Sequence, residues 1–237
     1  MVNASKELDV LRGFIDFINR QVGVYCDCLS GFSGNKARIE RQIPRVRRPT
    51  SRRIEDGQPV IVWSSVEDPK SPDILHHRIT RSEDFIAANA EAGFNEQQIC
   101  WSIIVFLFTR WDEDIRPQIA AIRGVTANDV KVDALGDLRI LRNSIVHNQG
   151  IISLTDHKKL KRMAILFAPN APISPDHDEM HKIFVFIKQA VAELILDHTG
   201  HLPGAPKASD LVDVAIQNVR HKTPGNRYGF WTVGIKF

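Results

Sequence analysis

Between Arg142 and Gly150 the chain reads RNSIVHNQG, which sets an arginine, an asparagine and a histidine at the end of a predicted helix that Gly150 closes. A plain surface helix end needs none of these three side chains. Together they suit chemistry at a phosphodiester. A neutral histidine can take the proton of a ribose 2′-hydroxyl, and an imidazolium can protonate a leaving 5′-oxygen. An arginine can hold the phosphate through two donors and offset the charge that builds on it. An asparagine can orient the imidazole or bind a phosphate oxygen.

Helical geometry constrains how the three could meet. Asn143 and His147 are four residues apart and share one helix face. Arg142 and His147 are five apart, roughly 140° around the axis, so the arginine must reach in from the flank. Two copies of such a helix across a two-fold axis would bring two arginines and two histidines into one cleft. The alternative is plain: Asn148 and Gly150 cap the helix while Arg142 and His147 are solvated.

The stretch LRILRNSIVHNQG resembles the signature of the HEPN superfamily: arginine, a polar residue, three further positions and histidine, late in a helix of an all-α bundle. The matching positions are Arg142, Asn143 and His147, and the resemblance covers mainly residues 95 to 200. It implies a dimerising helical bundle with a composite, metal-independent endoribonuclease site that uses no cofactor. His147 would be the acid/base, Arg142 the transition-state stabiliser and Asn143 an orienting group. Such proteins are often toxin–antitoxin or phage-defence effectors, so an antitoxin protein is a candidate partner beside RNA and a second copy of the chain. Some relatives bind RNA or partners without cutting.

Charge supports a polyanionic partner. The 237 residues carry a net charge of +3, but the segment KARIERQIPRVRRPTSRR at 36–53 alone carries +7, leaving −4 for the remainder. Concentrated positive charge on a slightly acidic body favours nucleic acid over membrane. Pro44 and Pro49 break the segment, so it reads as an exposed basic arm or loop. Its candidate RNA contacts are Arg41, Arg45, Arg47, Arg48, Arg52 and Arg53. A non-catalytic RNA- or DNA-binding module built on this segment is therefore the rival to the nuclease.

Three cysteines exclude a disulfide framework, the start MVNASKELDV lacks the pattern of a signal peptide, and the longest apolar run, IIVFLF, is too short to span a bilayer. A reducing cytoplasm and no membrane contact are expected. HDEMH at 177–181 has two histidines at zinc-binding spacing, but Asp178 replaces the usual glutamate and no third ligand follows; acids favoured at a helix start explain it better. Cys26 and Cys28 are too close for a zinc knuckle and read as core packing.

The elements that would position these groups are mostly helical. Leu8, Leu11, Ile15, Ile18 and Val22 mark a helix from Ser5 to Cys28, which GFSG should end. PVIVWSSV at 59–66 reads as a strand, paired by expectation with the aromatic tail at 228–237, while His76 and His77 fall in a loop. Ser82 caps a short helix ending near Gly93. Asn95 and Gln98 form a capping box for a helix to Trp111 that is apolar nearly all round, and Pro117 bends or restarts it. Asn128–Asn148 is a helix with Ala134, Leu138, Leu141 and Ile145 inward. Residues 156–167 are a shorter helix, or a helix leading into a strand, and a long helix spans Asp176–His198. The expected architecture is mostly α: a helical bundle over 1–200 with a basic loop at 36–53 and a small β ribbon. A linker, short helix and strand-like tail at 201–237 would pack on the same domain.

Overall fold

The computed structural model describes residues 2–46, 59–68 and 70–199. The fold is mostly helical, with two small two-stranded sheets. Contacts divide the described chain into two compact units, residues 2–26 with 99–199, and residues 27–98. The expected linker, helix and strand at 201–237 lie outside the described residues, as do Arg47, Arg48, Arg52 and Arg53. Among the described residues no helix is long and apolar enough to cross a membrane.

Helix α1 runs over Val2–Val46, well past the predicted stop at GFSG. Leu11, Phe14, Ile18, Tyr25 and Leu29 are buried at spacings of three, four and seven, and Ile39 continues the stripe. That periodicity overrides Gly31 and Gly34, each of which costs only about 1 kcal/mol in a helix. Pro44 lies in the last turn, where it has no N–H to donate to the carbonyl four residues earlier, and the helix ends two residues later. The predicted basic loop is thus helical as far as Val46, with Arg41 exposed on it and Arg45 within it.

The smaller unit contains a hairpin. Strand β1 (Val60–Asp68) pairs antiparallel with β2 (Ser71–Arg81), in a register that opposes Ser64 with His77 and Ser65 with His76. The expected strand is present, but its partner here is β2, and His76 and His77 are strand residues rather than loop residues. Helix α2 (Ser82–Ala88) follows directly. Ser82 is its buried first residue, not its cap; Arg81 holds the cap position.

The larger unit holds the core. Helix α3 (Phe94–Arg110) buries Cys100, Ile103, Ile104, Leu107 and Phe108 but exposes Ser102, Phe106 and Arg110, so it is not apolar all round. Its start is tied down by Glu96, whose carboxylate accepts the Ala92 N–H at 2.7 Å; Asn95 and Gln98 lie inside the helix. A π turn at Trp111–Ile115 separates α3 from α4 (Arg116–Arg123). Pro117 lacks the N–H needed to continue the ladder, so the helix restarts there, as expected.

Helix α5 (Asp133–His147) is shorter than predicted at its start, where a 3-10 turn at Ala127–Asp129 intervenes. Ala134, Leu135, Leu138 and Leu141 form its buried face, with Ile145 half-buried. Strand β3 (Ile151–Ile152) pairs with β4 (Ala171–Pro172), and α6 (Leu154–His157) is one short turn. The remainder of 156–167 is neither regular helix nor strand apart from a 3-10 turn at Ala164–Leu166. The cause is Asp137, 1% exposed on α5, whose carboxylate accepts the backbone N–H groups of Lys161, Arg162 and Met163 at 2.7–3.1 Å. Helix α7 (His177–Thr199) starts at a reciprocal cap in which Asp176 accepts from the Glu179 N–H and Glu179 from the Asp176 N–H.

Candidate active site at the end of helix α5

The end of α5 is shaped by its backbone. The Ser144 carbonyl accepts the N–H groups of Asn148 at 3.0 Å and Gly150 at 2.9 Å. Gln149 and Gly150 both have positive φ, 53° and 79°, which turns the chain sharply out of the helix. Gly150 also lies against Trp101: a Cβ there would meet the indole Cζ2 at 2.2 Å. Trp101 is itself held by its N–H donating to the Ile173 carbonyl at 2.6 Å, and Ile173 N–H donates to the Gly150 carbonyl at 2.7 Å. The last turn of α5 is thereby clamped from α3 and from the chain before α7.

The cap uses backbone groups alone, so His147 is not the capping group. Its imidazole is exposed, and Nε2 lies 3.4 Å from Arg142 Nη1. The same Nη1 donates to Asn143 Oδ1 at 3.1 Å. The three sequence-predicted site residues therefore come together, with the arginine curling across the helix surface to reach both neighbours. A guanidinium has donors only, so Nε2 is the acceptor, and the matching tautomer carries its proton on Nδ1. Arg142 Nε is buried and makes no hydrogen bond among the described residues, a cost of about 1–3 kcal/mol that the fold itself does not offset. Asn143 and His147 are open to solvent, and Arg142 is half-buried.

Asn143 also borders an open cleft of about 730 Å³ that runs beside α5. Arg142 and His147 do not line it. Its walls include Arg139, four residues before Asn143; the spacing of Arg139, Asn143 and His147 was visible in the sequence, but its significance was not.

The other sequence candidates are placed differently. His177 stacks on buried Tyr25 with ring centroids 5.8 Å apart, and the neighbouring acids Asp178 and Glu179 occupy the first turn of α7. Among the described residues no three His, Cys, Asp or Glu side chains gather in a way that could hold a metal ion. Cys26 is exposed and Cys28 only half-buried, contrary to the expected core packing; two residues on a helix point to opposite sides, so one apolar face cannot take both. Burial, and then the charge of Asp27, pushes the Cys28 thiol up. Arg41 and Arg45 belong to a different unit from the α5 cluster. Comparison with protein-family models, curated proteins and solved structures gave no match to this chain.

Proposed function

We propose that the chain is a metal-independent endoribonuclease of HEPN type that cuts RNA through attack of a ribose 2′-hydroxyl, acting as a homodimer. The observation that carries this reading is the convergence of Arg142, Asn143 and His147 at 3.1 and 3.4 Å on the exposed end of α5. His147 accepts the 2′-hydroxyl proton, the 2′-oxygen attacks phosphorus, and the P–O5′ bond breaks to leave a 2′,3′-cyclic phosphate. The 5′-oxygen leaves with a proton from the second copy's imidazole. Arg142 offsets the charge that develops on the phosphoryl oxygens, and Asn143 holds the guanidinium in place. A role as a toxin or phage-defence effector, with an antitoxin protein as partner, follows from the resemblance.

Purified protein should cut RNA in the presence of EDTA and leave cyclic phosphate ends, whereas loss of cleavage with chelator overturns metal independence. Light scattering should give twice the 26.8 kDa chain mass. A strict monomer with full activity contradicts the composite site.

One observation favours a second reading, an RNA-binding module. Residues 36–46 are helical, which puts Arg38, Arg41 and Arg45 at spacings of three and four along one helix side. RNA affinity that falls steeply with salt, in a parent protein that does not cut, supports it.

A further inference from the structure

We propose that the cleft beside α5 is the groove that seats the RNA strand next to the cut phosphate, with Arg139 as its phosphate-binding residue. This rests on the nuclease reading above. Three observations carry it.

First, Arg139, Asn143 and His147 are all exposed and stand four residues apart, one ridge on the surface of α5. Each step rises about 6 Å along the axis, comparable to the separation of successive phosphates on a strand. A strand following the cleft past Arg139 therefore arrives at Asn143 and the imidazole.

Second, the cleft walls carry carboxylates and basic groups in equal number, and one arginine among them is uncommitted. Of the wall carboxylates, Asp112 is paired with Arg116, Asp133 with Lys161 and Asp156 with Lys159. Asp129 accepts from Thr126, and Asp137 holds the backbone N–H groups of 161–163. Arg116 is also spent, on Asp112, the Ala127 carbonyl and Asn128. Arg139 forms no hydrogen bond or ion pair among the described residues. An arginine with all its donors available, on an open wall, suits a phosphate group.

Third, the cleft has room. Its volume of about 730 Å³ lies within the range of ligand sites, roughly 300–1,000 Å³. Gly136 sits on its wall in the first turn of α5, glycine is the poorest helix former after proline, and a Cβ added there meets nothing within 4 Å. The missing side chain leaves space for a base or sugar directly before Arg139.

Gly136 gives a decisive test, because a larger residue fills the groove while raising helix propensity, so the variant should fold at least as well. Steady-state cleavage and fluorescence anisotropy with a labelled single-stranded oligoribonucleotide should be measured for the parent, Gly136→Leu and Arg139→Ala. The expected result is KM and Kd raised about tenfold or more in both variants, with kcat within about twofold of the parent. A parent that cuts RNA, beside a Gly136→Leu variant with unchanged KM and Kd, overturns the groove and leaves the nuclease reading standing. A parent that never cuts overturns the nuclease reading. The groove is then judged by Kd alone: weakened binding in both variants supports it, and unchanged binding overturns it.

Discussion

Replacing Gly150 with alanine tests the clamp that holds the end of α5. Two penalties are expected. The backbone there has φ of 79°, a left-handed conformation that costs an L-residue about 1–2 kcal/mol. The new Cβ would also lie 2.2 Å from Trp101 Cζ2, inside any tolerable contact, so the indole must move. Moving it breaks the 2.6 Å hydrogen bond to the Ile173 carbonyl, a further cost of about 1–3 kcal/mol. The total is about 2–5 kcal/mol, a large share of a typical folding free energy. Gly124 supplies the control. It closes α4 with φ of 69°, but a Cβ there meets nothing within 4 Å. Gly124→Ala should lose only the backbone part. Urea unfolding followed by circular dichroism gives both values from the midpoints at a common slope. Equal costs at the two positions would refute the collision with Trp101 as the anchor of this helix end.

Three further predictions follow from the same structure. Asp137→Asn keeps the shape and one acceptor oxygen but replaces the other with an amide donor facing the Lys161 N–H and removes the charge, so it should destabilise by about 1–3 kcal/mol in chemical denaturation. Lys188 lies half-buried on α7, where burial lowers its pKa from 10.5. Between the lowered value and 10.5 the unfolded chain holds a proton that the native state lacks, so stability should rise with pH through that window. Lys188→Met removes the penalty, and calorimetry at neutral pH should show a higher midpoint, about 2–4 °C for each kcal/mol gained. Neutralising Arg38 and Arg41 should flatten the salt dependence of RNA binding, read from a titration series, because fewer counterions are released.

Much of the fold could be read from local pattern. The buried face of α5 is a run of Ala134, Leu138 and Leu141 at helical spacing, and Asp176 with Glu179 announces the start of α7. What escaped was decided by groups distant in sequence or by competition between weak preferences. Gly31 and Gly34 look like a stop until the continuing apolar spacing is weighed against their small cost. Ser71–Arg81, with Pro72 and two histidines, has little strand character of its own and becomes a strand by pairing with β1. Residues 161–163 leave the helical path because a carboxylate 24 to 26 positions earlier binds their N–H groups. At the candidate site the shared helix face of Asn143 and His147 was legible from their four-residue spacing. The reach of Arg142 from the flank was expected too, but not that a single nitrogen, Nη1, would meet both neighbours, since that depends on which rotamer the arginine adopts.

The central claim is that His147 carries the proton in RNA cleavage. Single-turnover cleavage of a labelled RNA by the parent and by His147→Ala, both in EDTA, tests it most directly. The account predicts a rate lower by about two orders of magnitude or more, with RNA affinity nearly unchanged. A His147→Ala protein that cuts as fast as the parent would contradict it.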